Sequence, residues 1–180
     1  MAVATATRVS VAVNVQARSI AFAANELNRI LLETTVARGL PLNYLHFRQQ
    51  DLADGFRTWM SGRWLEGVIL EIYDPVSDKL MEKFHLDIAY TTDGNSDETY
   101  KTHIEKLQTE LKRLKKLQPG CRYRVLADTS SNAPMLPGWT ESKLRDAGHL
   151  SRQEFGGMVD TAGISIGMTY FGERSNAQCT

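Results

Sequence analysis

The chain has 180 residues, 42% hydrophobic and 23% charged, and its 21 basic side chains balance its 21 acidic ones. One domain of that size buries roughly two-thirds of its unfolded surface, and zero net charge argues against a dedicated nucleic-acid binder. No apolar run approaches the ~18 residues of a membrane span. The N-terminus lacks a signal-peptide pattern, and two cysteines without CxxC spacing suit a reduced, cytoplasmic protein with no structural zinc.

Residues 1–8 are small and polar and read as a flexible tail. Val9, Val11, Val13 and Val15 then alternate as in a short strand. From Gln16 to Arg38 the period becomes helical. Ile20, Ala24, Leu27, Leu31 and Thr34 form a stripe that Phe22, Ala23 and Ile30 widen. A helix apolar on most faces belongs at the centre of a domain. Gly39 and Pro41 end it. Leu52, Phe56, Trp59 and Met60 predict a second helix over 51–60 with Asp51 as N-cap, broken by Ser61-Gly62.

WLEGVILEIYDPVSDKLMEKFHLDIAY (64–90) reads as a β-hairpin. Val68, Leu70 and Ile72 share one face of the first strand, with Ile69, Glu71 and Tyr73 opposite. Asp74-Pro75 opens the turn. Phe84, Leu86, Ile88 and Tyr90 alternate with His85, Asp87 and Ala89 on the antiparallel return. A polar loop then feeds a narrow amphipathic helix over 98–117, on Tyr100, Ile104, Leu107, Leu111 and Leu114. Its C-terminal end is crowded with lysine and arginine, where the helix dipole favours cations. CRYRVLA (121–127) alternates as a third long strand.

Beyond Asp128 the pattern loosens. SSNAPMLPGW is irregular, and Trp139 within it is either an anchor onto the body or the lining of a partner groove. Thr140 caps a short helix with Leu144 inward. A last strand carries Ile164, Ile166 and Met168 among Gly163, Gly167 and Gly172.

Chemistry is sparse. The four histidines have no partner at metal-ligand spacing. His85 and Asp87 share a strand face and carry the case for a small α+β enzyme, against a plain solvated face. Ser151 near His149 lies in no nucleophile elbow, and Gly156-Gly157 is not a phosphate loop. No catalytic site and no cofactor is expected.

The element order, and above all GVILEIYDPVSDKLMEKFHLDI (67–88), resembles the HORMA domain. Ile72-Tyr73-Asp74, Glu82-Lys83-Phe84, Leu86 and Asp87-Ile88 fill the family's "IYD" turn entry and returning strand. The compact loops are most similar to bacterial HORMA proteins of CBASS antiphage operons. The resemblance implies an α+β fold: an antiparallel sheet with a central hairpin, packed on about three helices. One domain then spans 9–172, with a core at 9–128, a mobile "safety belt" at 129–172 and a C-terminal tail at 173–180.

It further implies a signalling adaptor without catalysis. Closed, the belt wraps a short closure-motif peptide that adds to the strand at Cys121–Ala127 by β-augmentation. Arg122, Tyr123, Arg124 and Val125 would meet the peptide from the strand, and Trp139, Ile164, Ile166 and Met168 from the belt. The closed form would activate a CD-NTase second-messenger synthase. A hexameric AAA+ remodeller would reset it by gripping the N-terminal tail at Val3, Thr5 and Thr7. Another version has ERSNAQCT (173–180) donated to a sister HORMA protein. Independently of the resemblance, a poorly patterned, glycine-bearing segment after a well-specified core suits two alternative placements, and equally an ordinary long loop.

Overall fold

The computed structural model describes residues 4–91 and 99–173, with side chains from residue 16 onward. In chain order the elements are α1 (Ala4–Ala37), α2 (Asn43–Ser61), β1 (Leu65–Tyr73), β2 (Leu80–Tyr90), β3 (Lys101–Thr102), α3 (Ile104–Arg113), β4 (Arg122–Thr129), β5 (Ser151–Asp160) and β6 (Ile164–Gly172). The strands form one sheet in the order β3-β5-β6-β2-β1-β4, with every pairing antiparallel.

The central helix is as expected over its apolar stretch. Ile20, Ala23, Ala24, Leu27, Ile30 and Leu31 are all buried. It begins much earlier, however. Residues 9–15 are helical rather than a strand, and the expected flexible tail is helix from Ala4. No glycine or proline interrupts Ala4–Ala37. Once the buried stretch has nucleated the helix, each further residue adds a hydrogen bond at little cost, and alternating valines do not stop it. Gly39, at φ +68°, ends the helix as its N–H returns to the Val36 carbonyl.

The second helix also starts early, at Asn43, so Asp51 is mid-helix rather than a cap and pairs with Arg48 (3.2 Å). Exposed Tyr44 and Phe47 hide its first turns from a periodicity reading. Gly62 closes it. A Cβ there would lie 2.3 Å from the Trp64 ring, so only glycine lets the chain turn into β1.

Val68, Leu70 and Ile72 of β1, Phe84, Leu86 and Ile88 of β2, and Ile164, Ile166, Met168 and Tyr170 of β6 join the helices in one core. Cross-strand partners such as Leu86 and Met168, or Ile88 and Ile166, stand in register on that face. At the hairpin turn the Asp74 carboxylate accepts from the Val76 and Ser77 N–H groups and the Ser77 hydroxyl. The Ser77 hydroxyl, with the Val76 amide next, holds its pKa below the ordinary value.

Three other expectations are corrected. The third helix covers only ten residues, because Leu114 is already extended (ψ 146°). Tyr100 instead packs on Phe22 at 5.2 Å. No helix follows Thr140, and Leu144 is exposed. The strand β5 was not anticipated. Two register shifts, at Glu154/Gly156 and Gly157/Val159, break its alternation and erase the period-two signal.

Candidate functional site: an edge groove under a strap

Among the described residues β4 is an edge strand, paired with β1 alone. A groove of about 510 Å³ runs along it. Residues 124 to 129 line this groove without a gap. Successive strand side chains point to opposite faces, so six consecutive lining residues mean that the groove follows the strand's edge. Its far walls are Tyr44, Arg48, Leu52 and Trp59 of α2, and Met135 with Gly138–Ser142 of the connection between β4 and β5. That connection, 130–150, forms a strap across the groove.

The strap is anchored at two levels. Above, the Trp59 Nε1–H donates to the Pro134 carbonyl (2.9 Å), and Trp139 meets the Trp59 ring edge-on, centroids 4.7 Å apart. Gly55 leaves the space that Trp139 fills, and Arg48 donates to the Gly138 carbonyl (2.7 Å). Below, the strap crosses to the sheet face opposite the helices. There Arg145 meets Glu71 and Asp78 and lies over the Tyr73 ring, and His149 Nε2 donates to the Leu80 carbonyl (2.8 Å). The strap thus runs from β4 past β1 to β2.

Of the expected peptide-contacting residues, Arg124, Val125 and Trp139 line the groove. Tyr123 sits on the same strand, but its hydroxyl donates to the Pro41 carbonyl and its ring meets Tyr44. Arg122 is exposed at the strand's start. Ile164, Ile166 and Met168 are elsewhere. They are core residues of β6, with β2 and β1 between them and β4. The alternation that singled them out marked a central strand rather than a ligand surface. Thr5 and Thr7 fall within α1, and Val3 lies outside the described residues.

The α2 wall was missed, although Gly55 and Trp59 at i, i+4 share a helix face, and Trp139 itself stood out. Glu71 and Arg145 were also missed as partners, because only the fold brings residues so far apart together. His85 Nε2 lies 3.5 Å from Asp87, which is largely exposed, and neither residue lines this groove. Burial pushes the Cys121 thiol above its ordinary pKa, the reverse of nucleophile activation. Among the described residues no group of three His, Cys, Asp or Glu side chains is placed to hold a metal ion.

A family model described as "Bacterial HORMA domain 2" matches residues 8–174. No curated protein matches the chain. Among solved structures, a chain of a mitotic checkpoint complex is similar with TM-score 0.67 at 13% identity, covering 88% of this chain and 99% of that one. A C. elegans HTP-2 bound to the HIM-3 closure motif has TM-score 0.58 at 15% identity, covering 76% and 73%. A chain of the E. coli MS115-1 CdnC:HORMA-deltaN complex has TM-score 0.56 at 12% identity, covering 88% and 90%. At these identities the likeness is one of fold.

Proposed function

Because this chain belongs to the bacterial HORMA domain 2 family, we propose that it is a peptide-capturing signalling adaptor whose ligand adds to the edge of β4 beneath the strap. The observation that carries this reading is the groove lined by six consecutive β4 residues and bridged by 130–150. An unpaired strand edge presents backbone donors and acceptors at a fixed spacing, and an extended peptide satisfies them whatever its side chains. The walls supply selectivity. Val125, Leu52, Trp59 and Trp139 give an apolar side, while Arg124, Asp128 and Ser142 give a polar one.

In this reading the belt expected at 129–172 divides by job. Residues 130–150 are the strap, and β5 with β6 is a hairpin docked on β2 that holds the strap's far end. The ligand is a closure-motif peptide, and the peptide-bound form switches on a CD-NTase synthase in cytoplasmic antiphage signalling. The HTP-2 neighbour bound to a closure motif and the neighbour complexed with CdnC support this direction. Reset by an AAA+ remodeller is a further part of the proposal. Because Thr5 and Thr7 lie within α1, a remodeller that grips them would have to unwind helix. Among the described residues no helix is long and apolar enough to cross a membrane.

The test uses the purified full chain, a peptide selected against it by display, and a CD-NTase synthase from the same genome. Product formation is expected to require both the chain and the peptide. A synthase whose output is the same without the chain would overturn the adaptor role.

A further inference from the structure

Glu71 lies in the middle of β1, registered between Lys83 of β2 and Arg124 of β4, and its carboxylate is fully buried. A buried carboxylate is destabilising unless its oxygens are matched by donors. Three donors reach it: Arg124 Nε (2.7 Å), the Arg145 backbone N–H (2.9 Å) and Arg145 Nη1 (3.0 Å). Two of the three come from the strap.

The two arginines extend the network outward. Arg124 donates from its remaining nitrogens to the Ser142 hydroxyl (2.7 Å) and the Lys143 carbonyl. Arg145 donates to Asp78 from Nε (3.0 Å) and Nη2 (2.6 Å), with its guanidinium 3.7 Å from the centre of the Tyr73 ring. One carboxylate therefore orders both the receiving strand and the strap, and Arg124 and Ser142 are also walls of the groove.

We infer that Glu71 is the latch of the strap: its carboxylate clamps Arg145 of the strap to Arg124 of β4, and the lower end of the strap opens by releasing that clamp as a unit. Release strips Glu71 of both Arg145 bonds and leaves it with Arg124. The Arg145 bonds to Glu71 and Asp78 and the Arg124 bonds to Ser142 and Lys143 form one connected network, so this end loosens cooperatively. Trp139 fastens the upper end by separate contacts, which lets the lower end open independently. Glu71 thereby positions the groove's polar wall without having to touch a ligand.

Its importance for holding a peptide rests on the peptide-capture reading, but the latch itself is testable with no ligand present. Hydrogen exchange read by mass spectrometry would compare the full chain with Glu71→Gln and Arg145→Ala. The hydrogen-bonded strap amides of Arg145 and Leu150 are expected to exchange about tenfold faster in both variants, while those of β2 and β6 keep their rates. Arg145→Ala alters only the strap, so it tests the latch even if Glu71→Gln disturbs the sheet. Arg145→Lys keeps the charge and can still make the single side-chain bond to Glu71 while losing the pair to Asp78, and is expected to recover part of the protection that Arg145→Ala loses. Unchanged strap exchange in Arg145→Ala would overturn the latch.

Discussion

Gly55 sits under the Trp139 ring with no room for a side chain: a Cβ would lie 2.8 Å from Nε1. In an exposed helix interior alanine is favoured over glycine by about 1 kcal/mol, so glycine at this position sacrifices helix stability for room. Gly55→Ala is therefore expected to lift Trp139 away from Trp59 and Phe56 while leaving the helix intact. Tryptophan emission should shift to the red, and affinity for a display-selected peptide should fall about tenfold, as with Trp139→Ala. An unshifted spectrum with unchanged affinity would show that the ring finds another seat.

At the same scale, Arg38 and Glu82 form a buried fork, with Nε at 2.8 Å and Nη2 at 2.7 Å, and the Tyr170 hydroxyl donates to the same carboxylate. Arg38→Ala leaves the carboxylate buried without its cation and is expected to cost about 3–5 kcal/mol in urea unfolding. Burial raises the Glu82 pKa above its ordinary value of 4.5, with Arg38 opposing the rise. A carboxyl with a raised folded-state pKa binds its proton more tightly folded than unfolded. Its contribution is thus fully present below the unfolded value and is lost as pH rises through the folded one. Glu82→Gln does not titrate, so its stability relative to the parent chain should improve as pH rises above 4.5. A difference that stays flat with pH would contradict the assignment.

At the scale of elements, legibility in the sequence followed regularity of pairing. β1 and β2 alternate cleanly and their register is visible in Val68, Leu70, Phe84 and Leu86, which all reach the core. α1's buried face was equally clear. β5 was invisible, because two bulges shift its apolar residues between faces, so that Phe155, Met158 and Val159 fall out of step although all are buried. Gly156 takes φ +84° at the first of these bulges. Gly156→Val is expected to destabilise the fold by about 1–3 kcal/mol, since a β-branched side chain is strained there. A urea midpoint within error of the parent would refute that strain. The candidate site was legible only as fragments. Arg124, Val125 and Trp139 were named, but their shared groove depends on α2 and on contacts across long stretches of sequence.

For the whole molecule, the sheet's two faces play different parts. The helix-facing side holds the apolar core, and the opposite side carries Glu71 at its centre under a polar strap. The fold is therefore rigid where apolar residues interlock and separable where the strap is fastened by Trp139 above and Arg145 below. Such a division suits capture of a strand at an edge followed by controlled release, because the strap is fastened to the rest of the fold by two separate sets of contacts.

The most direct measurement is hydrogen exchange of the full chain with and without a saturating display-selected peptide. The account predicts slower exchange in β4 (122–129) and in the strap (130–150), with β3 at the opposite edge unchanged. Peptide binding that protects the β3 edge, or leaves β4 at its free rate, would contradict it.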